Sequence, residues 1–202
     1  MGENKERPLV VAVVGSPRAK GNTSILVDAA LAELERRGAA VSKLMLRDYD
    51  IAPCLGHDTC GELERCPQGD DAERVLATVY AAEGLLLATP VYYENVSAQM
   101  KAFIDRNVFR YAHDLFLTPK VVGLMVVTAE TGLDDTLAAL RRYVALSTEV
   151  DVPIFSMGGF ADTAGAAAGD AELLEAARRL AADMAGVLLR DAGAEAAQVT
   201  PA

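Results

Sequence analysis

The chain has 202 residues, a formal net charge of −10, 51% hydrophobic residues and three cysteines. This length supports one substantial core and is short for two, so a single domain over residues 1–202 is expected. No apolar run approaches the ~18 residues that span a bilayer, and the acidic balance opposes a nucleic-acid partner, whose affinity rests on phosphate neutralisation. An odd cysteine count argues against a disulfide framework, and no charged-then-apolar leader opens the sequence, so a soluble, cytoplasmic protein is expected.

The run Leu9-Val10-Val11-Ala12-Val13-Val14 is apolar throughout and reads as a strand buried on both faces. Gly15-Ser16-Pro17-Arg18-Ala19-Lys20-Gly21-Asn22-Thr23-Ser24 follows it, and Ile25 to Arg37, closed by Gly38, has helical periodicity. A small-residue loop therefore joins the carboxyl end of a buried strand to a helix N-terminus, where unpaired amides and the positive dipole end favour an anion. Ser16, Asn22, Thr23 and Ser24 add short donors, Arg18 adds a guanidinium, and Gly21 lets the loop turn. A capping role for Thr23 or Ser24 alone would leave so many donors unexplained. A Walker loop is excluded because Asn22 follows Gly21, and the dinucleotide fingerprint is excluded by its missing glycine spacing.

Further along, Val41 to Leu46 reads as a second strand and Asp70 to Ala82 as a helix, separated by an irregular segment over about 47–69. Gly84 to Ala88 is a third strand ended by Thr89-Pro90. Ser97 caps a helix running through Arg106; Val121 to Thr128 is a fourth strand and Asp134 to Ser147 its helix. Val150 to Met157 is a fifth strand interrupted by Pro153, which suits an edge. Gly158 to Gly169 reads as a flexible loop, Asp170 to Arg190 as the last helix, and about 191–202 as a flexible tail. Strict strand–helix alternation predicts an α/β fold: a doubly wound five-stranded parallel sheet in the flavodoxin-like order 2-1-3-4-5. The ligand then sits at the switch between strands 1 and 3, outside their carboxyl ends.

Thr89-Pro90-Val91-Tyr92-Tyr93-Glu94-Asn95-Val96 leaves the third strand at that switch, in a chain with only 5% aromatic residues. The two tyrosines suit a planar ring, and they equally suit packing or a subunit contact. The string GSPRAKGNTS resembles the phosphate loop of the NADPH-dependent FMN reductases and their relatives, the flavodoxin-like iron–sulfur flavoproteins. The Pro-Val-Tyr element with Ser97 and the helix Ala98 to Arg106 resembles the loop that borders the flavin in that family. The resemblance implies FMN held at the phosphate loop, with Pro90, Val91, Tyr92, Tyr93, Glu94, Asn95 and Val96 along the ring. It makes Thr128 and Gly132, in the loop after the fourth strand, a third wall. It also implies NAD(P)H as electron donor, a small-molecule acceptor, and a homodimer or homotetramer with the flavin near the interface.

Cys54, His57, Cys60 and Cys66 have the spacing C-x2-H-x2-C-x5-C, which looks like the family's cluster motif with histidine at its second position. Three cysteines and a histidine also suit zinc, and free thiols are the third reading; no metal is expected. A phosphatase loop is excluded because only four residues separate Cys60 from Arg65. His113 sits in a polar connector with no partner visible by spacing, as a surface histidine would. The expected function is an FMN oxidoreductase fed by NAD(P)H and passing electrons to a flavin, quinone or other small acceptor. No acid–base dyad is needed, since the cofactor supplies the chemistry. Two alternatives stay open: a one-electron carrier without nicotinamide binding, and a flavin-less domain that binds a phosphorylated ligand.

Overall fold

Strand β1 (Leu9–Val14) lies between β2 (Ala40–Met45) and β3 (Gly84–Tyr92) in the computed structural model, with all three parallel. The structure describes residues 7–197, with side chains to residue 190. Beyond β3 come β5 (Val121–Thr128) and β6 (Ile154–Phe160), giving the order β2-β1-β3-β5-β6. That is the expected doubly wound arrangement. Because side chains alternate across a strand, Val10, Ala12 and Val14 face one layer while Val11 and Val13 face the other. Helices α1 (Asn22–Arg37) and α6 (Ala171–Ala197) cover the first face; α2 (Ala72–Tyr80), α3 (Ala98–Arg106) and α5 (Leu133–Ser147) cover the second. Leu26, Leu34, Leu86 and Leu140 are fully buried, each contributing about 1.5–3 kcal/mol.

Several boundaries differ from the sequence reading, each for a local reason. Strand β3 runs on through Pro90 to Tyr92. The Ala88 carbonyl accepts from Gly15, so Pro90, two residues on, turns its missing donor toward the side that β1 has left. Tyr92 then pairs with Asn95 of a two-residue strand, β4 (Asn95–Val96), across a turn in which Tyr93 and Glu94 have φ of 49° and 59°. The expected loop is thus a tight hairpin whose backbone suits a twisted ribbon. Strand β6 starts after Pro153 and takes in Gly158 and Gly159. A Cβ at Gly158 would lie 2.4 Å from Leu133 Cδ2, and one at Gly159 2.8 Å from Leu173 Cδ2. The glycines, which suggest a strand end, seat a leucine from each helix layer instead. A one-turn helix, α4 (Val108–Tyr111), follows α3, and α6 continues to Ala197 into the expected tail, whose residues 198–202 lie outside the described residues.

The irregular segment after β2 is pinned from below. Arg106, on α3, is buried and paired with Asp70, its Nη1 donating also to the Ala52 carbonyl at 3.1 Å and its Nη2 to Cys66 Sγ at 3.2 Å. Asp70 in turn accepts from the amides of Ala52 at 3.0 Å and Ala72 at 3.1 Å. His113 is half-buried rather than on the surface. It stacks on Phe109, with Nδ1 2.7 Å from the Phe109 carbonyl and Nε2 2.8 Å from that of Leu63.

Burial alone would raise the Asp70 carboxyl, but the Arg106 hydrogen bond and the two amides outweigh it and hold the carboxyl below its ordinary 3.8. A folded-state pKa below the unfolded value adds stability that is complete above about pH 4 and is lost as pH falls through the folded value. Arg106→Met leaves the carboxylate buried without its cation. It is expected to cost about 3–5 kcal/mol in urea unfolding at pH 7, and a smaller difference below pH 3. An unchanged midpoint at pH 7 would remove this pair from the core's support.

Candidate functional site

The loop after β1 is tied to the loop after β3 by one serine. Fully buried Ser97 donates its hydroxyl to the Gly15 carbonyl at 2.6 Å and accepts from the Met100 amide at 3.2 Å, capping α3. Its own amide donates to Thr89 Oγ1 at 3.1 Å. A Cβ at Gly15 would stand 2.8 Å from both Ser97 Oγ and Met100 Cβ, so only glycine permits this approach. Beyond it the loop folds on itself: the Arg18 amide donates to Ser16 Oγ at 3.2 Å and the Gly21 amide to the Arg18 carbonyl at 3.1 Å.

Helix α1 therefore starts at Asn22, three residues earlier than its periodicity implies, with Gly21 as N-cap. No side chain caps it and no acidic residue occupies its first turn. By contrast, α2, α5 and α6 carry Glu73, Asp134 with Asp135, and Glu172 there. The end of α1 thus keeps free amides and a positive dipole with no carboxylate competing for them.

A cavity of about 240 Å³ opens at this point, between the carboxyl ends of β1 and β3. Ser16, Arg18, Gly21, Asn22 and Thr23 form one side of it; Pro90, Val91 and Tyr92 form another, and Thr128 a third. The remaining expected residues lie outside its lining. Ser24 receives a hydrogen bond on its hydroxyl from Lys43 Nζ at 2.8 Å, and Val96 is buried in the core under the hairpin. Tyr93 is fully solvent-exposed and Asn95 accepts from the Val96 amide. Glu94 accepts from the Thr131 hydroxyl, which brings it against Gly132, and this latch joins the hairpin to the loop after β5. A larger cavity of about 480 Å³ lies elsewhere, as an apolar groove among α3, α4 and α5 with Tyr111 and Leu146 exposed on it. Its lining is mainly apolar, which is unsuited to phosphate.

Sequence reasoning missed a fourth wall: Ala161, Asp162 and Thr163, just past β6, with Val127 and Ala129 beside Thr128. The signal was available. Every loop at the carboxyl edge of a parallel sheet borders the crevice, but ending the last strand at Met157 placed this one too early. Asn22 reaches across to it, donating from Nδ2 to the carbonyls of Ala161 at 3.3 Å and Thr163 at 2.8 Å.

A parallel sheet in the order β2-β1-β3-β5-β6, with an uncapped helix end at its β1/β3 switch, defines a flavodoxin-like α/β protein. Residues 8–162 match the family described as NADPH-dependent FMN reductase, and the chain belongs to that family. An iron–sulfur flavoprotein of Archaeoglobus fulgidus is 38% identical over 168 residues, 83% of this chain and 75% of that one. A second, from Methanocaldococcus jannaschii, is 33% identical over 190 residues, 89% of this chain and 96% of its own. Among solved structures, RosB with bound 8-demethyl-8-formylriboflavin-5′-phosphate superposes with a TM-score of 0.74 at 17% identity, covering 96% of this chain and 90% of that one; at this identity the likeness is one of fold.

The relatives' name raises the question of a cluster, and the donor set here does not fit one. Among the described residues, no three His, Cys, Asp or Glu side chains gather as a metal site. Cys60 is buried in a short helical turn, Cys54 Sγ accepts from the Gly56 amide at 3.4 Å, and Cys66 Sγ faces the Arg106 guanidinium. Each is held by its own neighbours, with His57 in place of the thiolate such clusters use.

Ser97→Ala removes the donor to a buried carbonyl together with the α3 cap. It is expected to lower stability by about 1–3 kcal/mol, read as a shift in the urea midpoint; a shift within error would deny the serine its joining role.

Proposed function

We propose that the chain is an FMN-dependent oxidoreductase that takes a hydride from NAD(P)H and passes electrons to a flavin, quinone or other small acceptor. The observation that carries this reading is the uncapped, acid-free start of α1, set beside Ser16, Arg18 and Thr23 at the switch of the sheet. FMN, when bound, supplies the hydride and electron chemistry; the chain's own residues bind and orient it. The first amides of α1 and the hydroxyls of Ser16 and Thr23 hold the phosphate, with Arg18 as its counter-charge. Pro90, Val91 and Tyr92 offer an apolar side for the ring, and Thr128 and Ala129 close the other. Ring polarity is then met by backbone groups of two loops whose angle Ser97 fixes.

A visible flavin spectrum from protein purified with FMN, bleached anaerobically by NADPH, is the result that supports this reading. Bound flavin that NADPH does not bleach would make the protein an electron carrier, and colourless protein would leave only a phosphorylated ligand. Arg18→Ala is expected to weaken FMN by about 1.5–3 kcal/mol, roughly 10- to 150-fold in Kd. Of the two tyrosines, only Tyr92 lines the cavity, so Tyr92→Leu is expected to raise bound-flavin emission while Tyr93→Leu leaves it alone. The reverse pattern would move the ring away from this wall.

We further infer that the Cys54–Cys66 segment works as a structural cover in its thiol form, without metal. Its support is the anchoring of Cys66 to Arg106 in place of convergence with Cys54, His57 and Cys60. Anaerobic purification followed by iron, sulfide and zinc analysis is expected to find none of the three in stoichiometric amount. Stoichiometric iron with acid-labile sulfide would overturn this, and zinc alone would assign a Cys3His site.

A further inference from the structure

Asn22 stands at the start of α1, where a phosphate ligand would be sought, yet its side chain is fully engaged elsewhere. A primary amide has two N–H donors, and Nδ2 spends them on the carbonyls of Ala161 and Thr163, at 3.3 and 2.8 Å. Oδ1 accepts from the Ala167 amide at 3.2 Å. No donor is left for an anion, so only the Asn22 backbone amide faces that task. The three bonds span the stretch from the end of β6 to the short helical turn Ala166–Gly169. That stretch is held at its start by the Ala161 amide on the Thr128 carbonyl, at 2.9 Å. At its end Asp170 caps α6, its carboxylate accepting from the Leu173 amide at 3.0 Å. Between those ends the backbone reverses at Gly165, φ 87°, and Ala167 is buried against α1.

We propose that Asn22 is a positioning residue: it locks the segment 161–167 onto the phosphate-loop helix and so builds the fourth wall of the cofactor cavity. The wall brings Asp162 and Thr163 to the cavity, residue types suited to a polyol chain rather than to phosphate. Helix start and wall are therefore one unit, and a ligand that orders either orders both. This rests on the FMN reading only for the choice of probe. Riboflavin keeps the ring and ribityl chain of FMN and lacks only the phosphate, so it separates the two roles available to Asn22. A phosphate ligand, when removed, weakens FMN alone. A wall-positioning residue weakens both flavins.

The experiment has two arms on the full chain. In the first, amide exchange of the ligand-free protein is followed in Asn22→Ala and Asn22→Ser; the serine suits a helix start, so it keeps the test open should the alanine variant fold poorly. Residues 161–168 are expected to exchange faster while the β1 and β3 amides keep wild-type protection. In the second, Kd is measured for FMN and for riboflavin. Both are expected to rise about tenfold, leaving their ratio at the wild-type value, whereas Arg18→Ala changes the ratio. Unchanged exchange in 161–168, or loss of FMN with riboflavin unaffected, would overturn the proposal. A wild-type protein that binds neither flavin would sink the FMN reading, and the exchange arm would still decide whether Asn22 pins the wall.

Discussion

The hydroxyl of Ser97, buried and donating to the Gly15 carbonyl, fixes the angle between the two loops that leave the adjacent strands β1 and β3. Everything at the carboxyl edge depends on that bond. The Gly15 amide points back to Ala88, its carbonyl to Ser97, and its missing side chain leaves room for Met100. With all three in place the chain has one way to reach Gly21, and the α1 amides converge on a single point. A buried hydrogen bond of this kind contributes only about 0.5–1.5 kcal/mol net, but leaving its acceptor unpaired costs about 1–3. The asymmetry makes the joint a requirement of the fold as well as of the site.

The α/β class, the strand order and the strand-to-helix turn after β1 were legible because each rests on a local pattern with a single physical reading: unbroken apolar runs, helical spacing, and small residues between them. The differences arise where a residue has two meanings. Pro90 signals a strand end unless its strand has already lost the neighbour its donor would meet. Gly158 and Gly159 signal a turn unless helices on both faces need the space. The Tyr93–Glu94 turn adopts the backbone usually given to Asn-Gly, so the hairpin gave no sequence cue. The roles of Asn22 and Arg106 were out of reach for another reason. Their partners lie about 140 and 36–54 residues away along the chain, and no spacing rule connects such positions.

Arg106 also explains how the cysteine segment keeps its shape with His57 at the second ligand position. A cluster-binding loop is held by its metal, which ties distant thiolates to one centre. Here a buried guanidinium does the tying, taking the Ala52 carbonyl, the Asp70 carboxylate and the Cys66 sulfur at once. His113 gives a second tie at Leu63. The segment is thus tied to α3 through Arg106 and Cys66 and to the residues after α4 through His113.

An acidic protein that binds a phosphorylated ligand must overcome its own field, and the magnitudes show why it can. A unit charge 10 Å away in water contributes roughly 0.4 kcal/mol before screening, and at physiological salt the Debye length of about 8 Å reduces it further. A charge-assisted hydrogen bond at contact is worth about 1.5–3 kcal/mol. Ten net negative charges spread over the surface thus weigh less than a few amides and one guanidinium aimed at one point. Among the described residues, α1 alone of the four helices of nine residues or more without a serine cap has no acidic residue in its first turn, so no carboxylate of its own competes for those amides. Asp162 is the acidic residue of the cavity wall. Its neighbours Ala161 and Thr163 accept from the Asn22 side-chain amide at 3.3 and 2.8 Å, so this one acidic side chain reaches the cavity only through the helix start that carries the free amides.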